Sequence, residues 1–146
     1  MDRYWILLGK ELVKKPEQVA KYNLTNVTKT VYGIIFHQIQ ALKDFSNIKR
    51  GDLGGWIQFK KNLSQKGNCW VYDNAEVSGN AQVYGEARVS GNAEVSGNAE
   101  VSDKAWVYGA AKVYGEATVY GNARVSGNAE VSGNAQVFDN ARIWKL

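Results

Sequence analysis

Residues 87–104 read Ala-Arg-Val-Ser-Gly-Asn-Ala-Glu-Val-Ser-Gly-Asn-Ala-Glu-Val-Ser-Asp-Lys, which is three copies of one six-residue unit. The unit, Ala-x-Val-x-[Gly/Asp]-x, continues without a gap in both directions, so that alanine recurs at every sixth position from Ala75 to Ala141. Small apolar residues occupy alternate positions, which is the period of a β-strand. Glycine and asparagine follow each strand, where a corner with φ > 0 is easily formed. The pattern predicts a solenoid of short parallel strands stacked coil upon coil.

This unit resembles the repeat of the hexapeptide-repeat family. The resemblance implies an all-β fold, a left-handed parallel β-helix of triangular section with three units in each coil. Stacked valines and alanines would fill its narrow core, and residues 69–146 would form a little over four coils.

The front of the chain carries two further blocks. Residues 51–57 read Gly-Asp-Leu-Gly-Gly-Trp-Ile, and residues 69–72 read Cys-Trp-Val-Tyr. Together they resemble bacterial and phage hexapeptide-repeat proteins that are described as polymer-forming proteins or as acyltransferases. We expect a β-rich cap over residues 22–68, with a strand near Gly33–Leu42, because the end of a solenoid must be covered.

Residues 1–21 lie outside this resemblance, and we interpret them as an N-terminal extension. The segment from Lys10 to Lys21 is expected to form a short helix, interrupted near Pro16.

Length and composition limit the classes to which the protein can belong. A chain of 146 residues makes one domain with a small appendage, and its single cysteine permits no intrachain disulfide. No segment resembles a signal peptide, and no apolar stretch approaches the roughly 20 residues needed to cross a bilayer. We therefore expect a cytoplasmic protein that does not enter a membrane.

The net charge of +4 is unevenly distributed. Residues 1–68 hold twelve Lys and Arg against five Asp and Glu, whereas residues 69–146 hold six against nine. A basic front segment is explained either by ordinary solvation or by an acidic partner.

Outward residues 18 positions apart should align in columns if a coil holds three units. One column combines aromatic and basic side chains, and we call it the Trp/Arg face: Trp70, Arg88, Trp106, Arg124 and Arg142, beside Tyr72 and Tyr108. Arginine next to indole favours cation–π contact and stacking on an anionic or aromatic ligand. The alternative is that this face packs under the N-terminal segment or against other subunits. Lys49, Arg50, Lys60 and Lys61 are secondary basic candidates for the same ligand.

The chain offers little catalytic chemistry. Acyl transfer needs a general base, and the only histidine, His37, lies in an apolar run where alternation puts it on the face opposite Phe36. Cys69 occupies an alanine slot, which predicts burial rather than reactivity. Asp73, Asp103 and Asp139 occupy the glycine slot, where corner hydrogen bonds explain them. We expect no metal site and no cofactor.

The leading hypothesis is a non-enzymatic binding protein, forming a homotrimer as the resemblance implies. It would act in phage–host conflict by sequestering an anionic, nucleotide-like ligand or by blocking a host defence protein. Two alternatives stay open: an acyltransferase that uses His37, and a structural protein that self-assembles end to end. Nucleic acid is a less favoured partner but is not excluded.

Overall fold

The structure, a computed structural model, describes residues 5–8, 11–14 and 19–145. Five strands precede the repeats: β1 (Trp5–Leu8), β2 (Glu11–Lys14), β3 (Tyr22–Val31), β4 (Ile34–Ala41) and β5 (Leu53–Ile57). A short 3-10 helix follows at Lys60–Asn62. Each repeat then contributes one two-residue strand: β6 (Trp70–Val71), β7 (Glu76–Val77), β8 (Gln82–Val83), β9 (Arg88–Val89), β10 (Glu94–Val95), β11 (Glu100–Val101), β12 (Trp106–Val107), β13 (Lys112–Val113), β14 (Thr118–Val119), β15 (Arg124–Val125), β16 (Glu130–Val131), β17 (Gln136–Val137) and β18 (Arg142–Ile143).

The repeats wind into a β-solenoid, as the sequence predicts. Every strand pairs in parallel with the strand three units further on, so that Val71 is opposite Val89 and Val107 is opposite Val125. The offset is 18 residues, or three units per coil. The strands form three sheets, which stack as β16-β13-β10-β7, β17-β14-β11-β8 and β18-β15-β12-β9-β6. The predicted fold class is therefore confirmed in its repeat, its coil and its parallel stacking.

The core is a column of small aliphatic side chains. Alanines from Ala75 to Ala129 and valines from Val71 to Val125 lie at or below 1% exposure. Each buried valine contributes roughly 1.5–3 kcal/mol relative to an exposed one. Small residues recur at every inward position, so the core is built from uniform layers.

The corners are fixed by backbone with positive φ. Most corners use glycine, but three use aspartate: Asp73, Asp103 and Asp139, each with φ 56°. The Asp73 carboxylate accepts the amide N–H of Gly91 at 3.1 Å, and Asp103 accepts that of Gly121 at 2.9 Å. Each of these two aspartates thus bonds to the coil stacked on it, which confirms the corner role expected from sequence.

The solenoid begins earlier than the predicted boundary at residue 69. Strand β5 pairs antiparallel with β4 but parallel with β7, so it is already a rung of the first coil. Trp56 is opposite Glu76, an offset of 20 residues, because the corner at residues 64–68 is two residues longer than the others. Irregular spacing before Cys69 hid this coil from the six-residue pattern.

The cap continues one sheet of the solenoid instead of forming a separate lid. Strands β3 and β4 make an antiparallel hairpin that extends the sheet through β5, and β4 confirms the strand expected near residues 33–42. Lys29 on β3 forms an ion pair with Glu76 at 2.7 Å and lies 4.7 Å from the centre of the Trp56 ring. The hairpin is thereby joined to the first two coils by backbone and side chains.

Aromatic residues close the front end of the core. The Trp70 indole meets Tyr22 edge-on at 6.1 Å and Phe45 at 5.2 Å between ring centroids. The Tyr22 hydroxyl donates to the carbonyl of Leu63 or of Lys60, at 2.6 and 2.9 Å. Burial raises the pKa of Tyr22 above its usual value, so the hydroxyl keeps its proton as a donor.

Lys21 is a buried cation at this end, with 1% exposure. Its Nζ donates to the carbonyls of Cys69 and Gly67 at 2.8 and 3.2 Å and lies 3.2 Å from the Cys69 Sγ. The ammonium therefore satisfies carbonyls of the long corner, as a buried charge requires. Burial lowers the pKa of Lys21 from its ordinary 10.5, while the nearby Cys69 opposes that shift.

The expected helix between Lys10 and Lys21 is wrong where the structure describes it. Strand β2, Glu11–Lys14, pairs antiparallel with β1, with Leu8 opposite Glu11. The apolar residues of this segment alternate or run continuously at strand length, a pattern that favours a hairpin over a helix. Residues 15–18 lie outside the described part.

The tight packing of β5 against the next coil predicts the effect of Gly55→Ala. A Cβ at this position would lie 2.7 Å from Val71 Cγ1 and 2.8 Å from the Ala75 carbonyl oxygen. Because backbone cannot retreat cheaply, we expect the free energy of unfolding to fall by about 1–3 kcal/mol in urea titrations. The exposed strand residue Gln136, replaced by Ala, is the control. Equal stability of the two variants would contradict this packing.

The buried Lys21 predicts a pH-dependent stability. At a pH between the lowered pKa of Lys21 in the folded protein and 10.5, Lys21 is protonated in the unfolded chain and neutral in the folded protein. The free energy of unfolding of the wild type therefore rises with pH in this range. Lys21→Met lacks that slope. Urea titrations of both proteins at rising pH should therefore show wild type improving relative to Lys21→Met up to pH 10.5. A difference that stays constant with pH would contradict the assignment.

Candidate functional site

The Trp/Arg face is one continuous column on the sheet formed by β6, β9, β12, β15 and β18. Trp70 is opposite Arg88, Arg88 is opposite Trp106, and the alignment continues through Arg124 to Arg142. The predicted alignment is confirmed. Ligand binding by these residues stays a prediction.

Trp70 is not part of the exposed surface of the Trp/Arg face. Its side chain is 1% exposed beneath Tyr22 and Phe45. The reading of Trp70 as a ligand contact is corrected for this reason, and the alternative reading, packing under the N-terminal segment, applies to it. The exposed part of the face runs from Arg88 to Arg142.

Trp106 is held in one orientation by three neighbours on successive coils. Its indole N–H donates to the Ser90 hydroxyl at 2.9 Å. Its ring lies 4.5 Å from the Tyr108 ring between centroids, tilted by 39°. The guanidinium of Arg124 lies 5.6 Å from the ring centre, within cation–π range. The indole is thus a rigid, partly exposed wall.

Two depressions meet at this indole. The first, about 330 Å³, is the groove we propose as the site; its lining residues are Ser46, Asn68, Glu86, Arg88, Lys104, Trp106 and Arg124. The second, about 250 Å³, is lined by Asn47, Tyr72, Asp73, Arg88, Ser90 and Trp106. Both are lined by Arg88 and Trp106, so the two depressions adjoin at these side chains.

The groove carries a surplus of positive charge. Arg88, Lys104 and Arg124 face it against the single carboxylate of Glu86. Within residues 19–145, none of the three cations forms an ion pair. An anion entering the groove would therefore meet donors that have no competing partner.

Tyr72 supplies a neutral hydroxyl at the far side. Burial raises the pKa of Tyr72, an effect that the nearby charge of Arg88 partly offsets. The hydroxyl donates to the Asn47 side-chain oxygen at 3.2 Å. Tyr72 therefore remains protonated and ties the cap loop to the first repeat.

The other residues predicted to bind the ligand do not line the groove. Lys49 and Arg50 are exposed in the cap loop, where their backbone N–H groups donate to Asp52 and Asp44, and neither lines either depression. Tyr108 contributes by supporting Trp106. The sequence reading overlooked Lys104, because it considered strand positions and not corners.

A second signal for the groove was present in the sequence. The corner column beside the Trp/Arg face, 18 residues apart, reads Asn68, Glu86, Lys104 and Asn122. Three of these four residues line the groove. The 18-residue spacing of these corner positions is therefore a signal of the groove that the sequence itself contains.

The groups considered for catalysis are placed away from this groove. His37 shares a sheet face with Ile57 and its Nδ1 lies 3.1 Å from the Thr25 carbonyl. Cys69 is fully buried, as expected, though its contact with Lys21 was not foreseen. Among the described residues, no group of three or more His, Cys, Asp or Glu is placed to hold a metal ion.

Over residues 19–145 and the two short strands before them, no helix has the length and apolar character to cross a membrane.

Comparisons with known proteins agree with the fold. A family model described as the YdcK beta solenoid repeat matches residues 81–95, 111–127 and 117–133. A relative from Escherichia coli (strain K12), "Uncharacterized acetyltransferase YdcK", is 39% identical over 49 residues, which cover 34% of this chain and 15% of that protein. The chain thus spans a small part of the relative's length. Repeat, coil and both matches show that this is a β-solenoid protein of the hexapeptide-repeat type.

Proposed function

We propose that this is a non-enzymatic binding protein that holds an anionic, nucleotide-like ligand in the groove of Arg88, Lys104, Trp106 and Arg124. The observation that carries the proposal is the column of exposed guanidiniums, without an ion pair among the described residues, on either side of the Trp106 indole.

The neighbouring face supplies an internal comparison. There Lys112 lies between Glu94 and Glu130 on adjacent rungs, and its Nζ is 4.0 Å from the Glu94 carboxylate. Around Lys112 the charges alternate in sign, and the like-charged pair further along this column, Glu76 opposite Glu94, has Lys29 as a counter-ion 2.7 Å from Glu76. On the Trp/Arg face, by contrast, Arg124 is opposite Arg142. Like charges on facing strands are unfavourable, and an anionic ligand relieves this repulsion.

The chemistry of the groove favours a ligand with both an acidic and a flat part. Guanidinium groups bind phosphate or carboxylate in a bidentate manner. Trp106 and Tyr72 offer aromatic surface on the two sides of Arg88. A nucleotide combines these features, which is why we favour it over a simple inorganic anion.

The wider setting of the proposal comes from the resemblance to bacterial and phage proteins. We infer a cytoplasmic homotrimer that acts in phage–host conflict, by sequestering a nucleotide-like ligand or by blocking a host defence protein.

Binding predicts a thermal shift. ADP at a hundred times its Kd should stabilise the wild-type protein by about 2.7 kcal/mol. Because a hydrogen bond to a charged group contributes about 1.5–3 kcal/mol, Arg88→Ala and Arg124→Ala should each weaken ADP roughly ten- to hundred-fold by calorimetry.

Lys112→Ala is the matched control, since it removes a cation that already has acidic neighbours. It should leave ADP affinity unchanged. Loss of affinity in all three variants alike would indicate a general effect of net charge and would contradict a groove-specific site.

The second candidate is an acyltransferase, which the printed name of the Escherichia coli relative favours. The Nδ1 of His37 is engaged by the Thr25 carbonyl, which would leave Nε2 as a base. Against it, His37 does not line the groove, and the relative is matched over 15% of its length.

A turnover assay separates the two candidates. With acetyl-CoA and a panel of amine and hydroxyl acceptors, we expect wild type and His37→Ala to give the same background release of free CoA. Acceptor-dependent release that disappears in His37→Ala would establish the enzyme reading and overturn the proposed function.

A further inference from the structure

The Trp/Arg face repeats every two coils. Residues 36 apart are identical at four positions: Trp70 with Trp106, Tyr72 with Tyr108, Arg88 with Arg124, and Ser90 with Ser126. The column beside them carries an aromatic residue on every second rung. Tyr72, Tyr108 and Trp144 are those residues, separated by Ser90 and Ser126. The face therefore contains two similar cradles, one above the other.

The lower cradle, formed by Tyr72, Ser90 and Tyr108, is occupied by the protein's own indole. Trp106 donates its N–H to the Ser90 hydroxyl at 2.9 Å and leans on the Tyr108 ring. A serine between two aromatic rungs thus accepts a flat ring that carries an N–H donor.

The upper cradle, formed by Tyr108, Ser126 and Trp144, has the same parts but a different neighbour. The residue that corresponds to Trp106 is Arg142, 36 positions on. Within residues 19–145 no side chain bonds to the Ser126 hydroxyl, which is partly exposed. Trp144 is 59% exposed, so it offers aromatic surface to a ligand.

The spacing of the rungs decides what fits. Facing strands are about 4.8 Å apart, so residues two rungs apart are separated by about 9.6 Å. A flat ring needs roughly 3.5–4 Å to a neighbour on each side. This spacing matches one flat ring, and not two, between side chains two rungs apart such as Tyr108 and Trp144.

Two arginines stand beside this cradle. Arg124 and Arg142 are opposite each other on adjacent rungs, both are exposed, and neither forms an ion pair within the described residues. Together they can bind one anionic group in a bidentate manner.

We infer that the upper cradle is a ligand site for a flat heteroaromatic ring that has an N–H donor and is joined to an acidic group. The ring lies over Ser126 as the indole of Trp106 lies over Ser90, and the acidic group lies between Arg124 and Arg142. The inference rests on the proposed function, and it specifies the chemical class of the ligand and the place where the ligand binds. Purine nucleotides and indole acids share this chemistry.

The test uses the repeat itself. Arg142→Trp restores the two-coil pattern, and its indole should fill the upper cradle. We expect the variant to bind GMP and indole-3-acetate at least ten-fold more weakly than wild type by calorimetry, with an unchanged or higher Tm. Gln136→Trp adds an indole at the equivalent strand position of a neighbouring face and is the matched control, with affinity unchanged.

Ser126→Ala gives a second, milder test. Loss of one hydrogen bond should weaken indole-3-acetate about five-fold, whereas Ser132→Ala, the same position on another face, should have no effect. Binding of GMP alone or of indole-3-acetate alone supports the inference and identifies the source of the ring. Undiminished binding in both Arg142→Trp and Ser126→Ala overturns it. If ADP is then still lost in Arg88→Ala, the proposed function stands at the lower groove.

Discussion

Everything on the surface of this protein depends on the backbone pairing that keeps each coil in register with the next. Facing strands are offset by 18 residues throughout the repeats. The strand register is fixed, because a shift of one residue would turn the inward alanine and valine side chains outward. Aspartate or glycine with positive φ closes each corner at constant length. A six-residue period thereby becomes a straight column of side chains.

That constraint explains why the fold could be predicted and where prediction failed. The alternation of Ala and Val specified strands, and the columns followed from arithmetic. The first coil was missed because its long corner, residues 64–68, breaks the period. The burial of Trp70 was also missed, because it depends on Tyr22 and Phe45, which are distant in sequence and contact it only in the folded cap. Lys21 likewise meets Cys69 only through the fold.

The sequence predicted the strand residues of the candidate site, but not the other residues that line its groove. Arg88, Trp106 and Arg124 share a face because coils repeat, which sequence alone reveals. The groove, however, also needs Lys104 from a corner and Ser46 from the cap loop. Corner geometry and loop placement depend on local backbone conformation and on packing, which a repeat pattern does not encode.

The account is tested most directly by native mass spectrometry of the protein purified from its natural host, with Arg88→Ala prepared in parallel. One spectrum reports the number of subunits and any retained molecule. We predict a trimer in which wild type carries an acidic, ring-containing ligand that is absent from Arg88→Ala. Wild-type protein that is free of ligand, and stays so after incubation with a metabolite extract of that host, would contradict the claim that the Trp/Arg face is a binding site.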